Sequence, residues 1–392
     1  MEMPFPERGI FCFCAMAGLY IHIPFCKSKC GYCGFYSLPS IKLKDRFLEA
    51  LKAEIMLRKD YLHDEPVGTV YFGGGTPSLL STEELEGILH LINIHYPIAE
   101  NPEITLEANP DTLSLEYLQA MRNIGINRLS IGIQSFFDND LQYLGRKHNA
   151  EHARRCLFLA KQAGFENLSL DLIYGLPTSN AEQWNRNLDL FFEADIPHLS
   201  AYALTLEPNS ILTKQIELGK AAPVSEDDVL RDYDILCRRA AENGYLHYEI
   251  SNFCRRGIHS KHNASYWFGT PYLGLGPSAH SFDGASRQWN VSSVEKYLDA
   301  KLRDAGCETL TPEQTYDEYV MLRLRTHWGI DLKWLKNKMG ERFATYCEQQ
   351  AQPLIRQGRL TQTREFLYLN DQQLLFADGV AEALMWEVTS QE

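Results

Sequence analysis

The sequence predicts an α/β fold, an incomplete parallel-stranded barrel of the (β/α)6 type followed by a smaller α+β domain. Short apolar runs alternate with longer stretches of helical periodicity at least six times within residues 18–300. Strict alternation of this kind predicts parallel strands joined by right-handed crossovers. Polar side chains also stand at successive strand ends, which favours a barrel over a doubly wound sheet with one switch point; they are Glu107, Gln134, Asp171 and Tyr202.

The elements can be assigned in order from the first strand, GLYIHI. The stretch LKDRFLEALKAEIMLRKDYL has apolar residues three and four apart, which is the spacing of an amphipathic helix. TVYFGGG predicts a strand ending in glycines, and Ser81 with Glu84 predicts a capping box at the start of the next helix. The remaining strands are predicted at EITLEA, RLSIGI, NLSLDLIYG and HLSAYAL, with helices from Ser114, through EHARRCLFLAKQAG and around Trp184.

The two ends of the chain differ from the barrel pattern. After about residue 300, three helical stretches are followed by a short hairpin and a last helix, which predicts a winged-helix-like domain over residues 301–392. This segment lacks a dense basic stripe, so a packing or partner role is predicted in place of DNA binding. Residues 1–17 are predicted to be an N-terminal extension or a mis-assigned start with Met16 as the alternative, and Cys12 and Cys14 then carry no function.

The composition restricts the class of protein. Hydrophobic residues make up 45% and charged residues 23% of the 392 residues, an ordinary globular balance. The net charge of −13 repels phosphate backbones, which argues against nucleic acid as a partner. The ten cysteines lack the regular spacing of a disulfide framework, and no apolar run approaches the ~20 residues of a spanning helix. We expect a cytoplasmic protein without a membrane span; contact with a membrane surface stays open.

Three of the cysteines lie close together in IHIPFCKSKCGYCGFYS, with the spacing C-x3-C-x2-C: Cys26, Cys30 and Cys33. A structural zinc site would need a fourth ligand, for which His22 is a candidate. A reactive dithiol would need only two of the three cysteines. A [4Fe–4S] cube held by three thiolates would leave its fourth iron open to a chelating ligand.

The cysteine spacing, the aromatic Tyr32 before the third cysteine and the glycine-rich end of the next strand resemble the radical S-adenosylmethionine superfamily. The resemblance implies a [4Fe–4S] cluster on the three cysteines and S-adenosylmethionine chelating the open iron. It also implies that one electron from the cluster cleaves the sulfonium to give a 5′-deoxyadenosyl radical, which the protein positions and shields.

The segments LYIHIPFC, YFGGGTPS, SIGIQSF, LGRKH and DLIYGLP further resemble the oxygen-independent coproporphyrinogen III oxidase family, over roughly residues 18–390. The resemblance implies that Glu107 binds the ribose hydroxyls of S-adenosylmethionine, because a carboxylate can accept two hydrogen bonds. It implies cofactor contacts at Tyr20, Tyr32, Gly73, Gly74, Gly75 and Thr76. It also implies further contacts, some to a second S-adenosylmethionine, at Gln134, Arg146 and Asp171. Taken singly, Glu107 could instead be an ion pair and Arg146 a solvated charge.

Two departures from the oxidases put decarboxylase activity in doubt. The oxidases carry a fourth cysteine two residues after the third, where this chain has Phe35, and a long N-terminal segment, whereas Tyr20 lies almost at the start here. The segment 254–283 contains HNASYW, which resembles the haem-chaperone branch of the same family. That resemblance implies a haem site made by His262, Asn263, Tyr266 and Trp267.

The proposed haem residues have suitable chemistry. Histidine is a common axial ligand of haem iron, and Tyr and Trp offer apolar area with a polar edge. Arg255, Arg256 and Lys261 lie nearby in the sequence and could pair with propionates, while Cys254 is expected to be a buried, inert thiol. The plainer alternative is a loop whose His and Asn cap a helix and whose aromatic residues lie in the core.

Two functions of different classes therefore remain. One is a haem chaperone that binds haem and passes it to an acceptor protein of unknown identity, with a [4Fe–4S] cluster and S-adenosylmethionine as cofactors. The other is a radical decarboxylase that converts the propionates of coproporphyrinogen to vinyl groups. On either reading the haem and cofactor sites are expected to lie on different strand–loop units.

Overall fold

A computed structural model describes residues 16–387, so residues 1–15 of the predicted extension, with Cys12 and Cys14, lie outside the described residues. Six parallel strands lie side by side in chain order: β1 (Ala17–Ile23), β2 (Val67–Gly74), β3 (Ile98–Ala108), β4 (Arg128–Gln134), β5 (Asn167–Tyr174) and β6 (His198–Ala203). The helices between them are α1 (Lys44–Leu57), α2 (Thr82–His95), α3 (Leu115–Asn123), α4 (Asp138–Tyr143), α5 (Ala150–Gln162) and α6 (Ala181–Glu193). The predicted strand–helix alternation is confirmed.

Shorter elements follow β6 and widen the sheet on both sides. They are α7 (Ile211–Glu217), α8 (Glu226–Glu242), β7 (Tyr245–Glu249), β8 (Asn252–Arg255), α9 (Lys261–Trp267), β9 (Tyr272–Leu275), β10 (His280–Phe282), β11 (Ser286–Asn290), α10 (Val294–Tyr297) and β12 (Asp304–Thr309). The strand order is β12-β11-β10-β9-β1-β2-β3-β4-β5-β6-β8-β7. Within residues 16–387 this order ends at β12 and β7, so the barrel stays incomplete, as predicted.

The C-terminal part has the predicted α+β arrangement. Its elements are α11 (Pro312–Leu324), β13 (Ile330–Asp331), α12 (Leu332–Met339), α13 (Glu341–Arg356), β14 (Thr361–Gln362), β15 (Phe366–Tyr368) and α14 (Ala377–Glu382). The predicted hairpin is β14 with β15, and β13 adds a third antiparallel strand. These elements share a hydrophobic core of their own. The exact boundaries 18–300 and 301–392 stay predictions.

Local sequence explains where helices begin. The Ser81 hydroxyl accepts a hydrogen bond from the Glu84 N–H (3.3 Å), and the Glu84 carboxylate accepts one from the Ser81 N–H (2.7 Å). This confirms the predicted capping box, which satisfies two N–H groups that the helix itself cannot. Thr311 and Gln314 form the same box at the start of α11.

Among residues 16–387, the structure has no helix that is long and apolar enough to span a membrane.

The barrel strands have two chemically different faces, because successive side chains point to opposite sides of a sheet. The outer face is apolar and packs against the helices in the largest hydrophobic core, with Leu19 and Ile21 of β1 and Phe72 of β2 fully buried. The opposite side, which we call the polar inner face, carries Thr69, Tyr71, Glu103, Thr105, Glu107, Arg128, Ser130, Ser169, Asp171, His198 and Ser200.

Candidate functional site

The three cysteines lie on the loop between β1 and α1, at the carboxyl end of β1, and all three are half-buried. Backbone hydrogen bonds hold this cysteine loop in place. The Cys26 N–H donates to the Leu38 carbonyl (2.9 Å), and the Gly31 N–H donates to the Leu144 carbonyl (3.0 Å). The cysteine loop is therefore bonded both to Leu38, in the segment that leads into α1, and to Leu144 at the end of α4.

Two side chains reach cysteine sulfurs, one from just after β2 and one from the segment between α4 and α5. The Arg146 Nη1 lies 3.4 Å from the Cys30 Sγ, and the Thr76 Oγ1 lies 3.5 Å from the Cys26 Sγ. The Arg146 guanidinium also donates to the Asn109 Oδ1 (2.7 Å) and to a β4 carbonyl (2.6 Å). Donors to ligand sulfurs favour the thiolate and tune iron–sulfur centres. Arg146 is thus built into the cysteine site and is not a solvated charge.

The cysteine loop suits a cluster better than a single metal ion. Within residues 16–387, no group of three or more His, Cys, Asp or Glu side chains is arranged to hold one metal ion. A zinc site needs such a group because all of its ligands bind the same ion, whereas each thiolate of a cube binds a different iron atom. His22 hydrogen bonds instead with the Tyr36 carbonyl (3.0 Å) and the Tyr20 hydroxyl (3.1 Å).

The two glycines at the end of β2 occupy positions where neighbouring side chains leave no room for a Cβ atom. A Cβ atom on Gly73 would lie 2.9 Å from the Tyr20 ring and 3.1 Å from a Glu107 carboxylate oxygen. Gly74 has a φ of +104°, in the left-handed region that favours glycine. A side chain at either position would collide with Tyr20, Glu107 or His22, which is a local reason for the two glycines. The close approach of a ligand to this strand end stays a prediction.

The next two residues of this segment tie β2 to the cysteine loop. The Gly75 N–H donates to the Ile23 carbonyl and the Thr76 N–H to the Phe25 carbonyl, both at 2.8 Å. These two N–H groups are therefore already bonded to protein, and they hold the end of β2 against the cysteine loop.

Glu107 lies at the end of β3 and is half-buried. Its Oε1 accepts a hydrogen bond from the Tyr71 hydroxyl (2.8 Å), and its Oε2 accepts one from the Gly74 N–H (3.1 Å). Burial raises the pKa of Glu107 to about 7, and the charge of Asp171 adds to the rise. The carboxyl group is therefore only partly ionised near neutral pH, and donors from a ligand would favour its ionised form.

Three further predicted positions border the same region. Gln134 ends β4 with a φ of +68°, a conformation that non-glycine residues adopt rarely and mostly at functional sites. The Asp171 Oδ1 accepts a hydrogen bond from the Ser130 hydroxyl (3.2 Å). Tyr32 packs against a small apolar cluster that includes Leu144. The structure thus gathers the predicted cofactor residues at the carboxyl ends of β1 to β5.

The HNASYW residues form the last six residues of α9, and the Ser260 hydroxyl caps this helix by accepting the Asn263 N–H. His262 is only 1% exposed and points to the polar inner face. Its Nδ1 hydrogen bonds with the Thr69 Oγ1 (2.8 Å) and its Nε2 with the Tyr266 hydroxyl (2.8 Å). Burial, with Arg128 nearby, lowers the pKa of His262 to about 3, so the ring is neutral. In this structure neither ring nitrogen is accessible to haem iron.

The neighbours of His262 are also engaged. The Tyr266 ring meets the His262 ring edge-on (5.1 Å between centroids) and the Tyr272 ring at 4.6 Å. The Asn263 N–H donates to the Ser260 hydroxyl (3.3 Å), and Trp267 is half-buried at the end of α9. The plainer alternative holds only in part, because the helix cap is Ser260, and His262 and Asn263 lie within the helix that they were expected to cap.

The predicted propionate partner Arg255 forms an ion pair with Asp195. Cys254 is fully buried, and burial raises its pKa to about 12. Arg255 would therefore have to leave Asp195 in order to pair with a propionate. The burial of Cys254 agrees with the expectation of an inert thiol.

The cysteine loop and α9 belong to different strand–loop units, but the fold brings residues of the two predicted sites into contact. The His262 ring lies 4.9 Å from the Tyr71 ring and 6.4 Å from the Tyr20 ring, in stacked orientations. Tyr71 and Thr69 were not predicted as site residues, although the alternation in TVYFG places both on the face of Gly73. The fold thus brings β2 and α9, which are far apart in the sequence, into direct contact.

The family model described as the radical SAM superfamily matches residues 20–191, and the one described as the HemN C-terminal domain matches residues 310–376. The fold and the cysteine loop thus define a radical SAM protein. Heme chaperone HemW of Mycobacterium tuberculosis H37Rv is 35% identical over 376 residues, or 94% of each chain. Heme chaperone HemW of Bacillus subtilis is 32% identical, covering 95% of this chain and all of that one. The chain belongs to the HemW family.

A solved structure shares the whole fold. Coproporphyrinogen III oxidase (HemN) from Escherichia coli, a radical SAM enzyme, matches with a TM-score of 0.82, covering 94% of this chain and 90% of that one. The two sequences are 23% identical. The likeness confirms the α/β barrel with its C-terminal α+β part, and it concerns the fold alone.

Proposed function

We propose that this protein binds haem and passes it to an acceptor protein in the cytoplasm, and that it carries a [4Fe–4S] cluster with exchangeable S-adenosylmethionine. The observation that carries the proposal is the 31–38% identity to relatives named heme chaperone HemW, several of them matched over nearly their full length. Phe35, at the place of the oxidases' fourth cysteine, is 68% exposed and offers no ligand.

The cofactor residues follow from the geometry of the strand ends. Cys26, Cys30 and Cys33 would hold the cluster, with Arg146 and Thr76 as donors to two of the sulfurs. Glu107 would accept hydrogen bonds from the cofactor's ribose, and Gly73 would allow its close approach. The cluster and cofactor together would supply a one-electron reductive cleavage. The remaining cofactor positions are Tyr20, Tyr32, Gly74, Gly75, Gln134 and Asp171.

His262 would be the axial ligand of haem, together with Asn263, Tyr266 and Trp267 of α9. Its low pKa keeps the imidazole neutral, which is the form that binds metal. Haem binding then requires α9 to move, because both ring nitrogens are hydrogen-bonded. Such a movement would break the bonds that tie α9 to β2 and β3, namely that of the His262 Nδ1 with Thr69 and those of the Lys261 and His262 N–H groups with Glu103.

Replacing His262 with alanine tests this assignment. His262→Ala is expected to shift or abolish the Soret band of bound haem in a titration, while the iron and sulfide content of the reconstituted cluster stays unchanged. His90→Ala, on the exposed side of α2, serves as the matched control and should bind haem as the wild type does. Full haem affinity with an unchanged spectrum in His262→Ala would show that α9 is only a packing element.

The decarboxylase alternative is tested in the same preparation. Coproporphyrinogen incubated anaerobically with the reduced, cluster-loaded protein and S-adenosylmethionine should remain unconverted. Formation of protoporphyrinogen would replace the chaperone proposal with an oxidase.

The pKa of Glu107 predicts how cofactor binding depends on pH. Because the ionised carboxylate accepts the ribose hydrogen bonds, affinity for S-adenosylmethionine is expected to rise with pH through about 7, by about tenfold between pH 6 and pH 8. Glu107→Gln should bind more weakly and lose that part of the pH dependence, as measured by equilibrium dialysis.

Glu249 provides a matched control for the pH measurement. It is another buried carboxyl group whose pKa burial raises to about 7, and it lies on β7, away from the cofactor residues. Glu249→Gln should keep the wild-type pH dependence. An identical pH profile in Glu107→Gln and wild type would remove Glu107 from the cofactor site.

A further inference from the structure

We propose that Tyr71 is a positioning residue that couples the S-adenosylmethionine site to α9, so that each ligand strengthens binding of the other. This inference rests on the proposed function, since it takes Glu107 as a cofactor residue and His262 as the haem ligand. Tyr71 itself would touch neither haem nor the cluster. It would act through the two residues with which it is in contact.

Tyr71 contacts both proposed sites with one side chain. Its hydroxyl donates to the Glu107 Oε1 at 2.8 Å, and its ring stacks on the His262 ring at 4.9 Å with an interplanar angle of 24°. The side chain is 7% exposed, so it is closely surrounded. In a closely packed interior, a shift at one end of a rigid ring is passed to its neighbours.

The same two strands hold α9 closed. Thr69, two residues before Tyr71 on β2, hydrogen bonds with the His262 Nδ1 (2.8 Å). Glu103, four residues before Glu107 on β3, accepts the backbone N–H groups of Lys261 (3.2 Å) and His262 (3.0 Å). Residues two apart on a strand share a face and lie about 7 Å apart. Thr69 and Glu103, which hold α9, therefore lie on the same face of β2 and β3 as the proposed cofactor residue Glu107 and its partner Tyr71.

The sign of the coupling rests on the ribose displacing the Tyr71 hydroxyl from the Glu107 Oε1, which that hydroxyl now occupies. A buried hydroxyl without a partner is unfavourable, so Tyr71 follows or finds another acceptor, and its stacking on His262 weakens. His262 then leaves Thr69 more readily. By thermodynamic linkage, haem must raise the affinity for S-adenosylmethionine by the same factor.

The test is a haem titration of the cluster-loaded protein with and without saturating S-adenosylmethionine. The cluster is kept oxidised so that the cofactor is not cleaved. In wild type, S-adenosylmethionine should lower the haem Kd about fivefold or more, the lower range of known couplings. Tyr71→Phe keeps the ring and removes the hydroxyl, so both ligands should still bind while the Kd ratio falls to about one.

Tyr96→Phe is the matched control. The Tyr96 hydroxyl is also buried and donates to the Ile55 carbonyl (3.0 Å), but it lies against the helices on the outer side of the sheet. This variant should keep the wild-type Kd ratio. A second variant, Thr69→Val, removes a bond that holds His262, and it should bind haem more tightly even without S-adenosylmethionine.

The outcomes separate this inference from the proposed function. If the wild type binds haem and S-adenosylmethionine with no mutual effect, or if Tyr71→Phe keeps the wild-type ratio, the coupling through Tyr71 is overturned and the haem-chaperone proposal stands. If Tyr71→Phe does not fold by circular dichroism, Thr69→Val decides, and unchanged haem affinity in that variant overturns the inference. If the wild type binds no haem, the proposed function is wrong, and the coupling through Tyr71 is wrong with it.

Discussion

Cys30→Ala is expected to lose the iron–sulfur absorbance of the anaerobically reconstituted protein completely. With one of the three thiolates removed, only two protein ligands remain for a cube that needs them at three irons. Cys30 is also the sulfur that Arg146 contacts, so the variant leaves a buried guanidinium without that partner. Iron and sulfide analysis should fall from about four of each per chain to background, and the same holds for Cys26→Ala and Cys33→Ala.

Cys254→Ala is the control, because that buried thiol lies on β8, away from the cysteine loop. It should keep the wild-type iron content and the change that S-adenosylmethionine causes in the electron paramagnetic resonance spectrum of the reduced cluster. Equal loss of iron in Cys254→Ala would mean that the cluster lies elsewhere. A wild-type spectrum that does not respond to saturating S-adenosylmethionine would remove the cofactor from the open iron.

Glu54→Ala is expected to lower the free energy of unfolding by about 3 kcal/mol, because it leaves buried donors without an acceptor. Glu54 lies on α1 and is fully buried. Its carboxylate accepts hydrogen bonds from the Tyr297 hydroxyl (2.6 Å), the Asn290 side chain (2.7 Å) and the Gly276 N–H (2.9 Å). It thus joins the first barrel helix to segments more than 200 positions later, and urea unfolding followed by circular dichroism measures the loss.

Glu49→Ala is the matched control on the same helix. The Glu49 side chain is 75% exposed and pairs with Lys52 on the surface of the helix, so its removal should change the free energy of unfolding by no more than about 0.5 kcal/mol. If both variants unfold at the same urea concentration as wild type, the Glu54 network does not hold these parts together.

The sequence predicts well what is determined locally. The capping box at Ser81 and the six strand–helix units depend on residues within a few positions of one another, and the structure confirms them. The C-x3-C-x2-C spacing is also local, and it lies on the predicted loop. The short strands β7 to β12 were not predicted, because runs of three to six residues with mixed polarity give no clear period.

What the sequence could not provide is which distant residues meet. Alternation along β2 places Thr69 and Tyr71 on one face, but it does not reveal that His262, almost 200 residues later, fills the space beside them. The burial of both His262 ring nitrogens has the same origin, because it depends on α9 returning to β2 and β3. For this reason the residues of the predicted haem site could be named, but their contact with the cofactor residues could not.

The polar inner face also bears on how such a barrel can diverge. On β4, Leu129 and Ile131 bury apolar surface against the helices, while their immediate neighbours Arg128 and Ser130 face the interior. The surface packed against the helices and the surface facing the interior thus alternate along one strand. In a saturation mutagenesis library, substitutions at Leu129 and Ile131 should lower abundance, and so should those at Arg128, whose buried charge pairs with Glu103. The room for a change of ligand is therefore expected at the strand ends, around Glu107 and Asp171, where the proposed cofactor residues lie.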